Sequence, residues 1–116
     1  MSQQDRESFD RWTNSARYWD KHREIIRQMF GPVSEALIED ADIAPGYSVL
    51  DVATGQGEPA LRIADLVGSN GEVVGIDSVA GMTEAARSAA ERLSLSHARF
   101  ETAGADSLPF PDDRFD

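Results

Sequence analysis

The stretch from Ser48 to Glu58, Ser-Val-Leu-Asp-Val-Ala-Thr-Gly-Gln-Gly-Glu, leaves this chain few folds to choose from. Val49, Leu50, Val52 and Ala53 form a short, nearly continuous apolar run, the mark of a parallel strand covered on both faces. Asp51 is the single charge within it. An unpaired buried carboxylate is costly, so Asp51 is expected where the strand emerges, beside a partner. Thr54-Gly55-Gln56-Gly57 then strips away side chains, which lets backbone approach a ligand or take positive φ. Pro59 follows and suits the first turn of a helix, where its missing N–H would have no partner anyway. Strand, glycine turn and helix N-terminus together make a nucleotide-type binding element.

Around this element the chain reads as helices followed by β-α-β-α-β. After a loose polar start over residues 1–14, a helix is expected from about Ser15 to Phe30. Gly31-Pro32 breaks it, and Val33, Leu37, Ile38 and Ala41 mark a second, short helix. Pro45-Gly46 turns the chain into the first strand, read as the central one. Helices over 59–67 and Gly81–Leu93, strands over Glu72–Asp77 and His97–Thr102, and a loop-like tail from Ala103 to Asp116 complete the order. This is an α/β pattern, one half of a doubly wound parallel sheet, whose ligands bind beyond the C-terminal ends of the strands. Asp51, Gly55, Gly57, Asp77 and Asp106 all fall at such ends. Residues 1–46 are expected to form a helical cap and 47–116 the binding half.

Composition narrows the functions. The 116 residues, 41% of them apolar, suit one modest domain with a core. A formal charge of −10 argues against a non-specific nucleic-acid or anionic-membrane binder. With no cysteine there is no disulfide, thiolate metal site or cysteine nucleophile. His22 and His97 lack ligand spacing, so no metal site is expected, and His97 is given no functional role. The polar N-terminus lacks a signal-peptide core, and no apolar stretch approaches the ~20 residues that cross a bilayer. The expectation is a soluble, cytoplasmic protein.

Gly55-Gln-Gly57-Glu-Pro-Ala60 fits the loose dinucleotide expression G-x-G-x-x-[G/A], and Asp77 lies about 20 residues further on. Alone, the pattern also fits an ordinary glycine-rich turn. Asp77 sharpens it, because a carboxylate ending an apolar strand can accept from both hydroxyls of a ribose. The same side chain could instead cap the helix that follows.

At this point a family resemblance can be stated. Val49-Leu-Asp-Val-Ala-Thr-Gly-Gln-Gly57 resembles the first motif of class I S-adenosylmethionine-dependent methyltransferases. Val73-Val-Gly-Ile-Asp77 with Gly81-Met82 is similar to their second, and Gly104 to Asp116 to the stretch after the third strand. The ubiquinone/menaquinone C-methyltransferase branch is the nearest in flavour. Ala53 departs from the general pattern of alternating glycines.

The resemblance implies a Rossmann-like fold and S-adenosylmethionine as cofactor, with a small molecule accepting the methyl group. It implies that the Gly55–Gly57 turn, with Ala53 and Thr54, meets the methionyl part, and that Asp51 sits near its ammonium or an adjoining turn amide. Asp77 would take the ribose hydroxyls, Ser78 and Met82 would lie near the adenine, and Asp106 would accept from its amino group beside Ala105. Leu108 and Phe110 serve equally well as core. Tyr18, Trp19 and His22 either pack on the sheet or cover the cofactor. No catalytic base is identifiable.

Phe115-Asp116 leads into a fourth strand, beside the first, in the proteins this chain resembles. The resemblance therefore implies an N-terminal half that is inactive alone and self-associates through the exposed edge of its first strand, or by exchange of the N-terminal helices. Two other readings remain: a non-catalytic binding or regulatory module, and an NAD-dependent oxidoreductase.

Overall fold

The computed structural model describes residues 2–116. Helices α1 (Gln3–Lys21) and α2 (Arg23–Asp40) precede β1 (Ser48–Val52), α3 (Ala60–Val67), β2 (Glu72–Asp77), α4 (Ala80–Arg92) and β3 (Ala98–Thr102). The strands form one parallel sheet in the order β1-β2-β3, with Asp51 opposite Gly75 and Asp77 opposite Thr102. The middle strand is thus β2, and β1 lies at an edge of this sheet, the place expected for it without a fourth strand alongside.

Alternation along each strand sorts the side chains. Val49, Val73, Ala98 and Phe100 share a core with Ala60, Ile63, Ala64 and Val67 of α3 and Ala86 and Ala90 of α4. Both later helices therefore cover the same face. This corrects the expectation that β1 is covered on both faces. Only β2 is built that way, with Val73, Val74, Gly75 and Ile76 all buried, while Val49 and Leu50 are half-buried and Val52 is exposed. On the second face Arg114 of the tail pairs with Glu72 and donates to the Ser48 hydroxyl at 3.0 Å. These bonds from Arg114 and Ser48 hold the Glu72 carboxyl below the usual range. Asp116 then meets the β1 edge, its N–H donating to Ser48 O and its carboxylate accepting from Ser48 N–H, both at 2.8 Å.

The N-terminal region differs most from expectation. Residues 3–14 are helical, because Ser2 and Asp5 close a reciprocal capping box. The break falls at His22, and α2 runs straight through Gly31-Pro32. Proline within a helix forfeits one backbone hydrogen bond. Here packing on either side outweighs that loss. Gly31 is buried under the Arg62 guanidinium, Ser34 is 3% exposed, and Ile38 reaches the main core. Ala16 of α1, with Phe9 and Trp19, packs on Val79 and Met82 at the start of α4. That contact places the two helices over the C-terminal ends of the strands. His97 is structural, its Nε2 lying 2.6 Å from Ala64 O.

Gly75 permits the layering beneath the site. A Cβ there would lie 2.6 Å from both the Phe100 ring and Thr54 Oγ1. Gly75→Ala is therefore expected to cost about 1–3 kcal/mol, the range for overpacking a filled core. Urea unfolding measures this, and an unchanged midpoint would show that Phe100 and Thr54 move aside freely.

Candidate cofactor site

The turn after β1 carries three left-handed residues at alternate positions: Ala53 (φ 58), Gly55 (φ 57) and Gly57 (φ 105). This spacing explains the departure at Ala53. An L-residue in this region bears a steric cost of about 1–2 kcal/mol, which glycine escapes. A Cβ on Gly57 would press on Leu61 at 3.0 Å, whereas one on Gly55 would meet no protein atom within 4 Å. Gly55 is thus required by its backbone angle, and its side-chain direction opens outward.

Two carboxylates pin the turn. Asp77, at the end of β2, accepts from Gly55 N–H through Oδ2 and from Val79 N–H through Oδ1, each at 3.0 Å. Asp77 does not cap α4, whose N-cap is Val79 with no side-chain cap bond; its carboxylate instead ties together the turns that follow β1 and β2. Asp51 accepts from the Thr54 hydroxyl at 2.8 Å, which supplies the partner that its position demanded. Burial chiefly pushes the Asp51 carboxyl above its usual range; the Thr54 hydroxyl opposes this, and the charges of Glu58 and Asp77 add to it. The turn's own amides are engaged. Gly55 N–H is given to Asp77, and Gly57 N–H donates to Thr54 O at 3.0 Å. At these two amides the turn offers shape rather than free donors.

Beside the turn lies a cleft of about 720 Å³. Ala53, Thr54, Gly55, Asp77, Ser78 and Met82 line it, together with Gln56 and Glu58. Asp51 and Gly57 are not in the lining and act from behind it. Ala105 and Asp106 also stand outside the lining and are exposed, with the Asp106 carboxylate turned back toward Gly104. They remain near the same sheet end, since Ala103 N–H donates to Asp77 O at 3.0 Å. Of the aromatic group on α1, Trp19 lines the cleft, while Tyr18 points to solvent and stacks on His22 at 4.4 Å.

The opposite wall was not read from the sequence. It consists of Phe9 and Trp12 on α1 and Ile26, Phe30, Val33 and Leu37 on α2. The spacing of Phe9, Trp12, Ala16 and Trp19 is helical and carried the missing signal. The cleft's charged lining residues are Asp5, Glu58 and Asp77, all acidic. Among the described residues no cluster of histidine and carboxylate side chains could hold a metal ion.

Comparison with known proteins decides the family. A model described as a methyltransferase domain matches residues 43–116. The chain belongs to that methyltransferase family. It is 38% identical over 80 residues to the uncharacterized methyltransferase YcgJ of Bacillus subtilis, covering 69% of this chain and 30% of that protein. The ubiquinone/menaquinone biosynthesis C-methyltransferase UbiE of Shewanella oneidensis is 39% identical over 80 residues, 68% of this chain and 32% of the relative. The chain thus spans about a third of the length of the curated relatives it matches.

Among solved structures, the B. subtilis YcgJ protein superposes with a TM-score of 0.65 at 34% identity, over 72% of this chain and 34% of that one. A SAM dependent methyltransferase from Aquifex aeolicus gives 0.66 at 28% identity, over 72% and 44%. The β-α-β-α-β unit of this methyltransferase family member is therefore Rossmann-like, as the motifs implied.

The raised Asp51 carboxyl sets a pH signature. An acid whose folded-state value exceeds its unfolded value binds its proton more tightly in the native state. Its contribution to stability is full below the ordinary aspartate range and falls as pH rises through the raised value. Asp51→Asn keeps an oxygen for the Thr54 hydroxyl but removes the titration. Its stability relative to wild type is expected to climb across that window and level off above it. Urea midpoints from about pH 3 to 8 test this; a difference flat in pH would show that Asp51 is not desolvated.

Proposed function

We propose that this chain is the cofactor-binding part of an S-adenosylmethionine-dependent methyltransferase, a cytoplasmic enzyme acting on a small-molecule acceptor. The observation that carries the reading is the meeting of Asp77 and the Gly55 turn at one cleft whose charged lining is entirely acidic. Acidic lining favours a cationic ligand, and the cofactor bears both an ammonium and a sulfonium. The open side-chain direction of Gly55 and the apolar helical wall suit the remainder of such a molecule. Membership of the methyltransferase family supports the same conclusion, as do relatives named as C-methyltransferases.

When bound, the cofactor supplies an electrophilic methyl on a sulfonium leaving group already activated by its charge. The chain's own residues then have holding and shielding work. Asp77 has unused lone pairs for ribose hydroxyls while keeping its two amide bonds. Asp51, braced by Thr54, places negative charge behind the turn, where it would attract the ammonium. Ser78 and Met82 would flank the adenine, and Ala105 and Asp106, outside the cleft lining, would extend its binding. Phe9, Trp12 and Phe30 would supply an apolar wall beside the bound cofactor, where positioning and desolvation can accelerate methyl transfer.

Calorimetric titration of the chain with S-adenosylmethionine, S-adenosylhomocysteine and NAD tests the reading. Either sulfur ligand is expected to bind more tightly than NAD. Asp77→Ala should weaken that binding by about 1.5–3 kcal/mol, the worth of hydrogen bonds to a charged acceptor. Unchanged affinity in the variant would remove Asp77 from the site, and tighter binding of NAD would overturn the cofactor assignment.

A further inference from the structure

The segment from Gln56 to Glu58 is a wall between two cavities. Gln56 and Glu58 line the cleft on one side and, on the other, a second cavity of about 440 Å³ bounded by α2, α3 and α4. A backbone wall with space on both sides has little packing to fix it, so its shape depends on specific bonds. On the cleft side Asp77 supplies one. On the far side the bond comes from Arg23, the first residue of α2.

Arg23 Nη1 donates to Gln56 O at 2.6 Å. Its Nη2 donates to Ala85 O of α4 and to Asp20 Oδ1 of α1, both at 3.2 Å. One guanidinium therefore joins both N-terminal helices, α4 and the glycine turn. The arrangement works against local stability in two ways. A cation in the first turn of a helix opposes the helix dipole. The side chain is only 20% exposed, and its Nε is buried without a hydrogen-bond partner among the described residues. Burial also pulls the guanidinium below its ordinary pKa, with the nearby Arg92 charge adding to that and Asp20 opposing it. The bonds to Gln56 O, Ala85 O and Asp20 offset these costs, and the shortest of them reaches the carbonyl of a residue itself 7% exposed.

Resting on the cofactor reading above, we propose that Arg23 is a positioning residue: it fixes the back of the glycine turn and makes ligand affinity depend on the docking of the helical cap. Arg23 is not itself part of the cleft lining; it acts through Gln56, which is. The planar fork is needed because two carbonyls on different elements, Gln56 O and Ala85 O, must be held at once. A lysine offers a point charge that can serve one of them well.

The test measures the affinity of the chain for S-adenosylhomocysteine by calorimetry, well below the melting temperature, for wild type, Arg23→Lys, Arg23→Gln and the exposed neighbour Arg27→Gln. Affinity is expected to fall in the order wild type, Arg23→Lys, Arg23→Gln. The last should be at least about tenfold weaker, the size of one lost charge-assisted hydrogen bond, with Arg27→Gln unchanged. A merely structural arginine would lower the melting temperature yet leave the affinity of the folded protein untouched. Equal affinity in wild type and Arg23→Gln overturns the proposal. Where Arg23→Gln does not fold, Arg23→Lys binding as tightly as wild type overturns it. Failure of the wild-type chain to bind at all would instead count against the cofactor reading.

Discussion

The Asp77 carboxylate is the joint on which the candidate site depends. One oxygen accepts from Gly55 N–H and the other from Val79 N–H, so a single side chain ties the turn after β1 to the turn before α4. Both turns lie at the same end of the parallel sheet because β1 and β2 pair in register, with Val52 opposite Ile76. Without that carboxylate the left-handed backbone at Ala53, Gly55 and Gly57 would lose its restraint on the cleft side. A charged acceptor is well suited to this work, since bonds to an ionised group are stronger than neutral ones.

The cost of the arrangement is electrostatic. Asp51, Glu58 and Asp77 act on one another closely enough for two of them to raise the carboxyl of the third. The protein answers with local partners: the Thr54 hydroxyl for Asp51, backbone amides for Asp77, and Arg62 for Glu58 at 3.1 Å. The hydroxyl and amide partners satisfy Asp51 and Asp77 without cancelling their charge, while Arg62 balances that of Glu58. The result is a surface complementary to a cation, walled on the other side by aromatic and aliphatic side chains of α1 and α2. Local bonding and ligand preference are thus set by the same residues.

How much of this was legible in the sequence follows from the range of the forces involved. The bounds of β2 read directly, because Val73-Val-Gly-Ile76 is an uninterrupted uncharged run flanked by Glu72 and Asp77. Asp77 was expected to meet ribose hydroxyls or cap the helix that follows, and its bonds to Gly55 and Val79 N–H were not read, because main-chain donors brought together by the fold leave no sequence signature. The N-terminal helices were misread where a local signal met a tertiary one. Gly31-Pro32 is a breaker by propensity, yet burial of Gly31 and Ser34 carries α2 through it. The Ser2–Asp5 capping box was present in the sequence and marked the true start of α1. Arg23 left no trace, because its partners are main-chain carbonyls, and those have no sequence signature. The helical wall of the cleft left a spacing in Phe9, Trp12, Ala16 and Trp19, but its place over the site depends on how Ala16 meets Val79 and Met82 in space.

The central claim is that the Asp77-braced turn is the ligand-binding end of the sheet. An amide-resolved NMR titration of the chain with S-adenosylhomocysteine tests it most directly. The account predicts that shift changes concentrate at Gly55, Asp77, Ser78 and the Trp19 indole, while Ser48, Glu72 and Asp116 at the opposite end of the strands stay in place. Saturable binding that moves the Ser48–Asp116 end and leaves Gly55 and Asp77 unmoved would contradict it.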